Sequence, residues 1–167
     1  LISGYAPAAR KPIKIIGGLN GSGKTSLLEA VRLCLHGKRA LGTITNDDYK
    51  KHILNRFHKD SDGIPRNSCM VGIEVEVVQS GRPNIYGIER SWSNLTSTLK
   101  ETLDITCDGE KLDQLYPEQY QAFLDELVPL GLAEFFFFDG ERIQTLAEDE
   151  GADSVVADSI KSLLGLD

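Results

Sequence analysis

One short stretch, Gly18-Leu19-Asn20-Gly21-Ser22-Gly23-Lys24-Thr25, constrains this chain more than any other. It matches the P-loop pattern G-x-x-x-x-G-K-[ST] at every fixed position. The apolar residues 13–17 in front of it predict a buried strand, and residues 26–35 behind it predict a helix. A strand, a glycine-rich loop and a helix in this order give the pattern its specificity. The stretch therefore predicts binding of a nucleoside triphosphate with Mg²⁺.

The residue types in this stretch explain the predicted chemistry. Glycines let backbone N–H groups come close to phosphate oxygens, and the start of the helix adds a positive dipole end. The Lys24 ammonium is expected to reach the β- and γ-phosphates and to act in catalysis, and the Thr25 hydroxyl is expected to bind Mg²⁺. The predicted nucleotide contacts are Asn20, Gly21, Ser22, Gly23, Lys24, Thr25 and Ser26. The motif alone establishes neither ATP as the nucleotide nor hydrolysis.

Length and composition place the chain among soluble globular proteins. Its 167 residues fit one domain, with 41% hydrophobic and 26% charged residues. No apolar run approaches the roughly 18 residues of a membrane span. The three cysteines and three histidines show neither a disulfide framework nor metal-ligand spacing. A cytoplasmic protein with no membrane partner is the expectation.

The charges are distributed unevenly along the chain. Residues 1–59 hold 11 basic against 3 acidic side chains, whereas the remainder holds 7 against 22. A basic first third can face phosphates, either those of a nucleotide or those of DNA. A solvated surface remains the alternative, because the basic residues lack clustering with aromatic ones.

Two helices are predicted in the first third of the chain. The first starts within the P-loop and ends near His36, with Gly37 as its stop. Residues 38–42 are expected to form a basic loop. Asn46 is expected to be the N-cap of the second helix.

The middle of the chain changes to strand periodicity. Residues 70–79 alternate between apolar and polar side chains, and strands are also predicted over 85–92 and within 99–107. Polar turns join them, so an antiparallel meander is expected. Pro117 then suits the first turn of a further helix.

A second motif, Phe135-Phe136-Phe137-Phe138-Asp139-Gly140-Glu141, is open to two functional interpretations. As the end of a Walker B strand, Asp139 would hold Mg²⁺ and Glu141 would orient the attacking water. Gly140 separates the two carboxylates, whereas the usual pattern places them side by side. A purely structural alternative is that Asp139 caps the turn into Gly140.

The other functional interpretation comes from a resemblance. Residues 20–26 followed by Leu27-Leu28-Glu29-Ala30 resemble the N-terminal lobe of SMC/RecF/SbcC-type ATPases, which are ABC-class heads split by a coiled coil. Residues 17–21, 37–40 and 135–142 together resemble more closely the DndD family of bacterial DNA phosphorothioation ATPases. The resemblance implies an α/β P-loop NTPase fold of the ABC/SMC N-terminal-lobe type, with an antiparallel meander beside the P-loop core. It places Asp139 at a Q-loop that normally carries glutamine.

The same resemblance implies how such a lobe would work. Residues 1–167 would form a single N-terminal lobe, which is a fragment of the complete head. The coiled coil and the C-terminal lobe, which carries the Leu-Ser-Gly-Gly-type signature motif of the family, would lie elsewhere. ATP and Mg²⁺ would be the cofactors, and a second head would dimerise across ATP. DNA and other DNA-modification proteins would be partners, and a related DNA-repair lobe is an alternative. Two rivals remain: a small kinase, with Arg90 and Arg142 as phosphate clamps, and a nucleotide-gated scaffold without turnover.

Overall fold

The computed structural model describes residues 16–19, 21–79, 81–95, 98–112 and 115–131. The described elements are, in chain order, α1 (Lys24–His36), a 3₁₀ turn (Gly37–Leu41), α2 (Asn46–Leu54), β1 (Ser68–Gln79), β2 (Arg82–Ser93), β3 (Lys100–Cys107), β4 (Glu110–Lys111), a second 3₁₀ turn (Pro117–Gln119) and α3 (Tyr120–Leu127).

The four strands form one sheet in the order β1-β2-β3-β4, with every neighbouring pair antiparallel. This confirms the predicted meander, although β2 begins at Arg82 inside the expected turn and β4 was not predicted. The register places Ile73, Ile88 and Ile105 side by side across three strands. Ile88 and Ile105 are each 1% exposed. Alternation along the strands thus gives the sheet one buried face, which α1 and α3 cover.

Two apolar clusters pack the helices onto this sheet. In the first, Cys34 and Leu35 of α1 meet Ile88, Ile105 and Leu124. The second is built around α2 and the other end of β2. It contains Leu33, Ala40, Tyr49, Ile53, Phe57 and Trp92. Each large side chain fully buried in this way contributes about 1.5–3 kcal/mol to the free energy of unfolding.

The helix ends agree only in part with the sequence-based expectations. α1 ends at His36, and Gly37 follows with φ 53°, as predicted. The expected basic loop 38–42 is wrong, because Gly37–Leu41 form a 3₁₀ turn. Asn46 is also not the N-cap of α2. That position belongs to Thr45, whose hydroxyl accepts the backbone N–H of Asp48 at 3.1 Å, satisfying a donor that the helix leaves unpaired.

The strand predicted before the P-loop receives no support from its described part. Ile16 and Gly17 have no regular secondary structure, and Ile16 is 59% exposed rather than buried. No strand among the described residues pairs with them, and much of the Ile16 side chain is open to solvent. Residues 13–15 and the predicted strand 135–138 lie outside the described residues. Within the ranges given above, no helix combines the length and the hydropathy that a membrane-spanning segment needs.

Candidate functional site

The P-loop residues surround the start of α1. Lys24 is the first residue of the helix, and Gly23 is its N-cap with φ 91° and ψ 15°. Gly21 also has a positive φ, of 80°. Residues with a Cβ adopt this left-handed region at a cost of roughly 1–2 kcal/mol. Glycine at these two positions therefore lets the loop backbone turn without that strain. The Ser22 N–H donates to the Leu19 carbonyl at 3.1 Å, closing the turn.

The Lys24 side chain folds back over this turn. Its Nζ donates to the carbonyl oxygens of Gly18 at 2.8 Å and Leu19 at 2.9 Å. Both hydrogen bonds are exposed, so phosphate oxygens can replace these carbonyls without a buried donor being left unpaired. A phosphate is the better acceptor for an ammonium group, because the hydrogen bond then joins opposite charges.

The electrostatics at the start of α1 favour an anion. No acidic residue lies in the first turn, and no side chain caps the helix at Gly23. The positive end of the helix dipole and the Lys24 ammonium therefore act together at this point. Thr25 and Ser26 follow Lys24 and are exposed at the same end of the helix. The structure thus brings Gly21 to Ser26 together at the start of α1, where the sequence predicts phosphate binding.

Three of the predicted site residues fall outside this geometry. Asn20, Asp139 and Glu141 lie outside the described residues. Their roles remain predictions, and the choice between the Walker B and Q-loop interpretations stays open. In the described ranges, no group of three or more His, Cys, Asp or Glu residues could hold a metal ion.

Arg90 has a different role from the phosphate clamp considered for a kinase. It is 5% exposed, and its Nε donates to the Cys34 carbonyl at 2.9 Å, at the opposite end of α1 from the P-loop. The position is a consequence of strand alternation, because Tyr86, Ile88, Arg90 and Trp92 share the buried face of β2. That alternation was the sequence signal that could have predicted an inward-facing arginine.

Glu29 is a second residue whose role the sequence did not reveal. Its carboxylate lies 2.6 Å from His52 Nε2 and 2.8 Å from Arg56 Nη2. Glu29 is on α1, and both partners lie on α2 or directly after it. The carboxylate therefore links the P-loop helix to its neighbour, in a half-buried setting where charge pairs are screened less than at an open surface.

A groove of about 520 Å³ lies away from the P-loop. It is lined by Lys38, Asn46, Asp47, Tyr49, Lys50, Thr98, Leu99 and Glu101. The candidate phosphate-binding surface, Gly21 to Ser26, is open and exposed instead. Its assignment therefore depends on motif, backbone geometry and charge rather than on an enclosed cavity.

Comparison with known proteins gives the broader context. The family model described as AAA domain matches residues 9–163, which include the whole P-loop. Urease accessory protein UreG of Aliarcobacter butzleri (strain RM4018) is 31% identical over 108 residues, covering 53% of this chain and 54% of that protein. The chain thus spans about half the length of this curated relative. No solved structure matches the chain significantly.

Proposed function

We propose that this chain is the ATP-binding half of an SMC-like ATPase head. The proposal starts from two findings: the chain belongs to the AAA domain family, and it has the α/β P-loop fold of nucleotide hydrolases. In this proposal ATP and Mg²⁺ bind at the start of α1. Lys24 stabilises the β- and γ-phosphates, and Thr25 and Asp139 hold Mg²⁺. A second head then closes over the nucleotide, and hydrolysis separates the two heads.

The main observation in support of nucleotide binding is the position of the Lys24 side chain. Its ammonium already lies over the P-loop, bonded to the Gly18 and Leu19 carbonyls. It shares this end of α1 with the positive end of the helix dipole, and the first turn of the helix holds no carboxylate. Phosphoryl transfer requires positioning and charge stabilisation more than covalent chemistry, and this arrangement supplies both at one point.

A more specific part of the proposal concerns the biological process that nucleotide binding and hydrolysis would drive. We propose conformational work on DNA during sulfur modification, as in DndD-type ATPases. This part is supported by the sequence resemblance at residues 17–21, 37–40 and 135–142 and by the basic balance of residues 1–59. ATP as the nucleotide and DNA, a second head and DNA-modification proteins as partners belong to the same proposal. A DNA-repair lobe of the SbcC/RecF type shares these motifs and is the nearest alternative.

The kinase alternative loses one of its two proposed phosphate clamps, because Arg90 contacts the distant end of α1. A nucleotide-gated scaffold differs from the leading proposal only in turnover. Steady-state phosphate release from MgATP and MgGTP by the intact protein, with and without DNA, separates the two. Release from MgATP that Lys24→Ala abolishes supports the ATPase. ATP-dependent dimerisation without phosphate release would favour the scaffold, and unchanged activity in Lys24→Ala would refute the P-loop assignment.

The matched control for this experiment is Lys51→Ala. Lys51 is an exposed lysine on α2, with a side chain that is 75% exposed and lies 3.8 Å from the Asp48 carboxylate. Its removal changes the net charge by the same amount as Lys24→Ala without touching the P-loop. Phosphate release by Lys51→Ala should therefore equal that of the wild type. Circular dichroism of each variant establishes that a loss of activity is not a loss of fold.

A further inference from the structure

The C-terminal end of the P-loop helix is held by a buried guanidinium. Arg90 donates from Nε to the Cys34 carbonyl at 2.9 Å and from Nη2 to the Leu35 carbonyl at 3.4 Å. The last carbonyls of a helix have no partner within the helix. A cation at this end also interacts favourably with the helix dipole. Arg90 of β2 therefore caps α1 from the sheet.

Two further side chains fix the orientation of this guanidinium. Its Nη1 donates to Glu101 Oε1 and its Nη2 donates to Gln121 Oε1, each at 2.6 Å. The other carboxylate oxygen of Glu101 accepts the Tyr49 hydroxyl at 2.9 Å. The Tyr49 oxygen in turn accepts the Trp92 indole N–H at 2.9 Å. A buried charge is tolerated when it is paired and hydrogen-bonded in this way.

This network joins every described layer of the molecule at one end of α1. Glu101 belongs to β3, Gln121 to α3, Tyr49 to α2, and Arg90 to β2. The amide of Gln121 also donates to the Leu35 carbonyl at 3.2 Å, beside Arg90. A Cβ at Gly37 would lie 2.7 Å from both Arg90 Nη1 and Glu101 Oε1, so the chain leaving α1 passes directly against the ion pair.

The two ends of α1 are held very differently. Cys34 and Leu35 near its C-terminus are 0% and 2% exposed, whereas Lys24 to Ser26 at its start are exposed. The helix has 13 residues and is therefore about 20 Å long. Because a helix moves as a stiff rod over this distance, the attachment of its C-terminal turn determines where its N-terminus points.

We propose that Arg90 is a positioning residue for nucleotide binding, acting through α1 on the phosphate-binding surface at the other end of the helix. This inference rests on the proposed function of that surface. Arg90 itself does not touch the nucleotide. Its bidentate hold on the last turn of α1, braced by Glu101 and Gln121, keeps the first turn in the orientation that phosphates require.

The test compares Arg90→Lys with a core control in the intact protein. Lysine keeps the charge but lacks the planar fork that reaches two carbonyls and two side chains at once. Ile105→Val removes one methylene from the sheet core and lowers stability without touching the network. The measurement is the dissociation constant for MgATP at a temperature where circular dichroism shows both variants folded, together with their melting temperatures.

The positioning role predicts that Arg90→Lys weakens MgATP binding by about 2- to 30-fold, the usual range for residues that couple distant positions. Ile105→Val should bind MgATP as the wild type does, even though it melts at a lower temperature. If Arg90→Lys also binds like the wild type while melting lower, the role of Arg90 is stability alone and the inference is overturned.

A second readout separates this inference from the proposed function. Amide hydrogen exchange is measured without nucleotide on a peptide covering residues 24–28. Arg90→Lys should accelerate exchange there more than Ile105→Val does, whether or not the wild type binds MgATP. A wild type that binds no nucleotide refutes the proposed function, while equal exchange in the two variants refutes the positioning role. If Arg90→Lys does not fold, Glu101→Gln supplies the same tests, since it leaves Arg90 in place and removes its charged brace.

Discussion

The Nζ of Lys24 lies 2.8 Å from the carbonyl oxygen of Gly18, so the P-loop lysine is bound to its own loop. In the proposed function, a nucleotide would therefore not meet a free ammonium group but would exchange one set of acceptors for another. The exchange is favourable because the carbonyls are neutral and the phosphates are charged. The lysine is also held in place beforehand, which reduces the entropy that binding must overcome.

Lys24→Ala should weaken nucleotide binding strongly while leaving the fold stable. Removing a charge-assisted hydrogen bond costs about 1.5–3 kcal/mol, which corresponds to roughly 10- to 150-fold in the dissociation constant. The two bonds that Lys24 makes within the loop are exposed, so the melting temperature should change little. Isothermal titration with MgATP and a thermal melt measure the two effects. A weakening of binding that the Lys51→Ala control shares would contradict the assignment.

Gly23→Ala should damage the loop far more than Gly17→Ala. Gly23 has φ 91° at the N-cap of α1, where an alanine is strained by about 1–2 kcal/mol. Gly17 has no such angle, and a Cβ added there meets nothing within 4 Å. Nucleotide affinity and melting temperature should both fall for Gly23→Ala and stay near the wild-type values for Gly17→Ala. Equal effects of the two substitutions would show that the backbone angle at Gly23 does not matter.

How far the sequence predicts this structure depends on the range of the interactions involved. The end of α1 at His36 and the meander follow from local signals, namely a stop glycine and period-two alternation, and both were predicted correctly. The contacts of Arg90 were not predicted. They join residues far apart in sequence, such as Cys34 and Gln121, and only the pairing of β2 with β3 brings Glu101 to the same point.

In the candidate site, too, the residues that are close in sequence could be predicted to lie together, whereas contacts between distant residues could not. Gly21 to Ser26 are consecutive, so a motif can predict that they lie together, and the structure places them around the start of α1. The partners of Asp139 and Glu141 depend on how distant parts of the chain meet. No periodicity determines that, and these two residues lie outside the described ranges.

Thr45→Ala should destabilise the protein more than Asn46→Ala. The Thr45 hydroxyl accepts the Asp48 N–H at the start of α2, and loss of such a cap costs about 1 kcal/mol of the free energy of unfolding. Asn46 accepts an exposed hydrogen bond from Lys38, so the effect of its loss should stay within about 0.5 kcal/mol. Urea unfolding monitored by circular dichroism gives both values. The reverse order would restore Asn46 as the functional cap.

Stability should fall in mild acid because of His36. Burial lowers the pKa of this imidazole, and its effect exceeds the opposing effect of the nearby Asp125 carboxylate, which favours the protonated form. The nearby charged groups are Asp125, whose Oδ1 is 3.7 Å from Nδ1, together with Arg39 and Arg90, whose positive charges oppose protonation. The unfolded chain therefore binds a proton at a higher pH than the folded one does.

The sign of the effect follows from this difference in proton binding. A group that is protonated preferentially in the unfolded state makes stability decrease as the pH falls below its ordinary pKa of about 6.5. His36→Leu removes the titrating group and leaves an apolar side chain in a site that is 1% exposed. Melting temperatures of the wild type should drop between about pH 7.5 and 5.5, and those of His36→Leu should drop less. Parallel curves for the two proteins would show that another group, and not His36, controls the acid sensitivity.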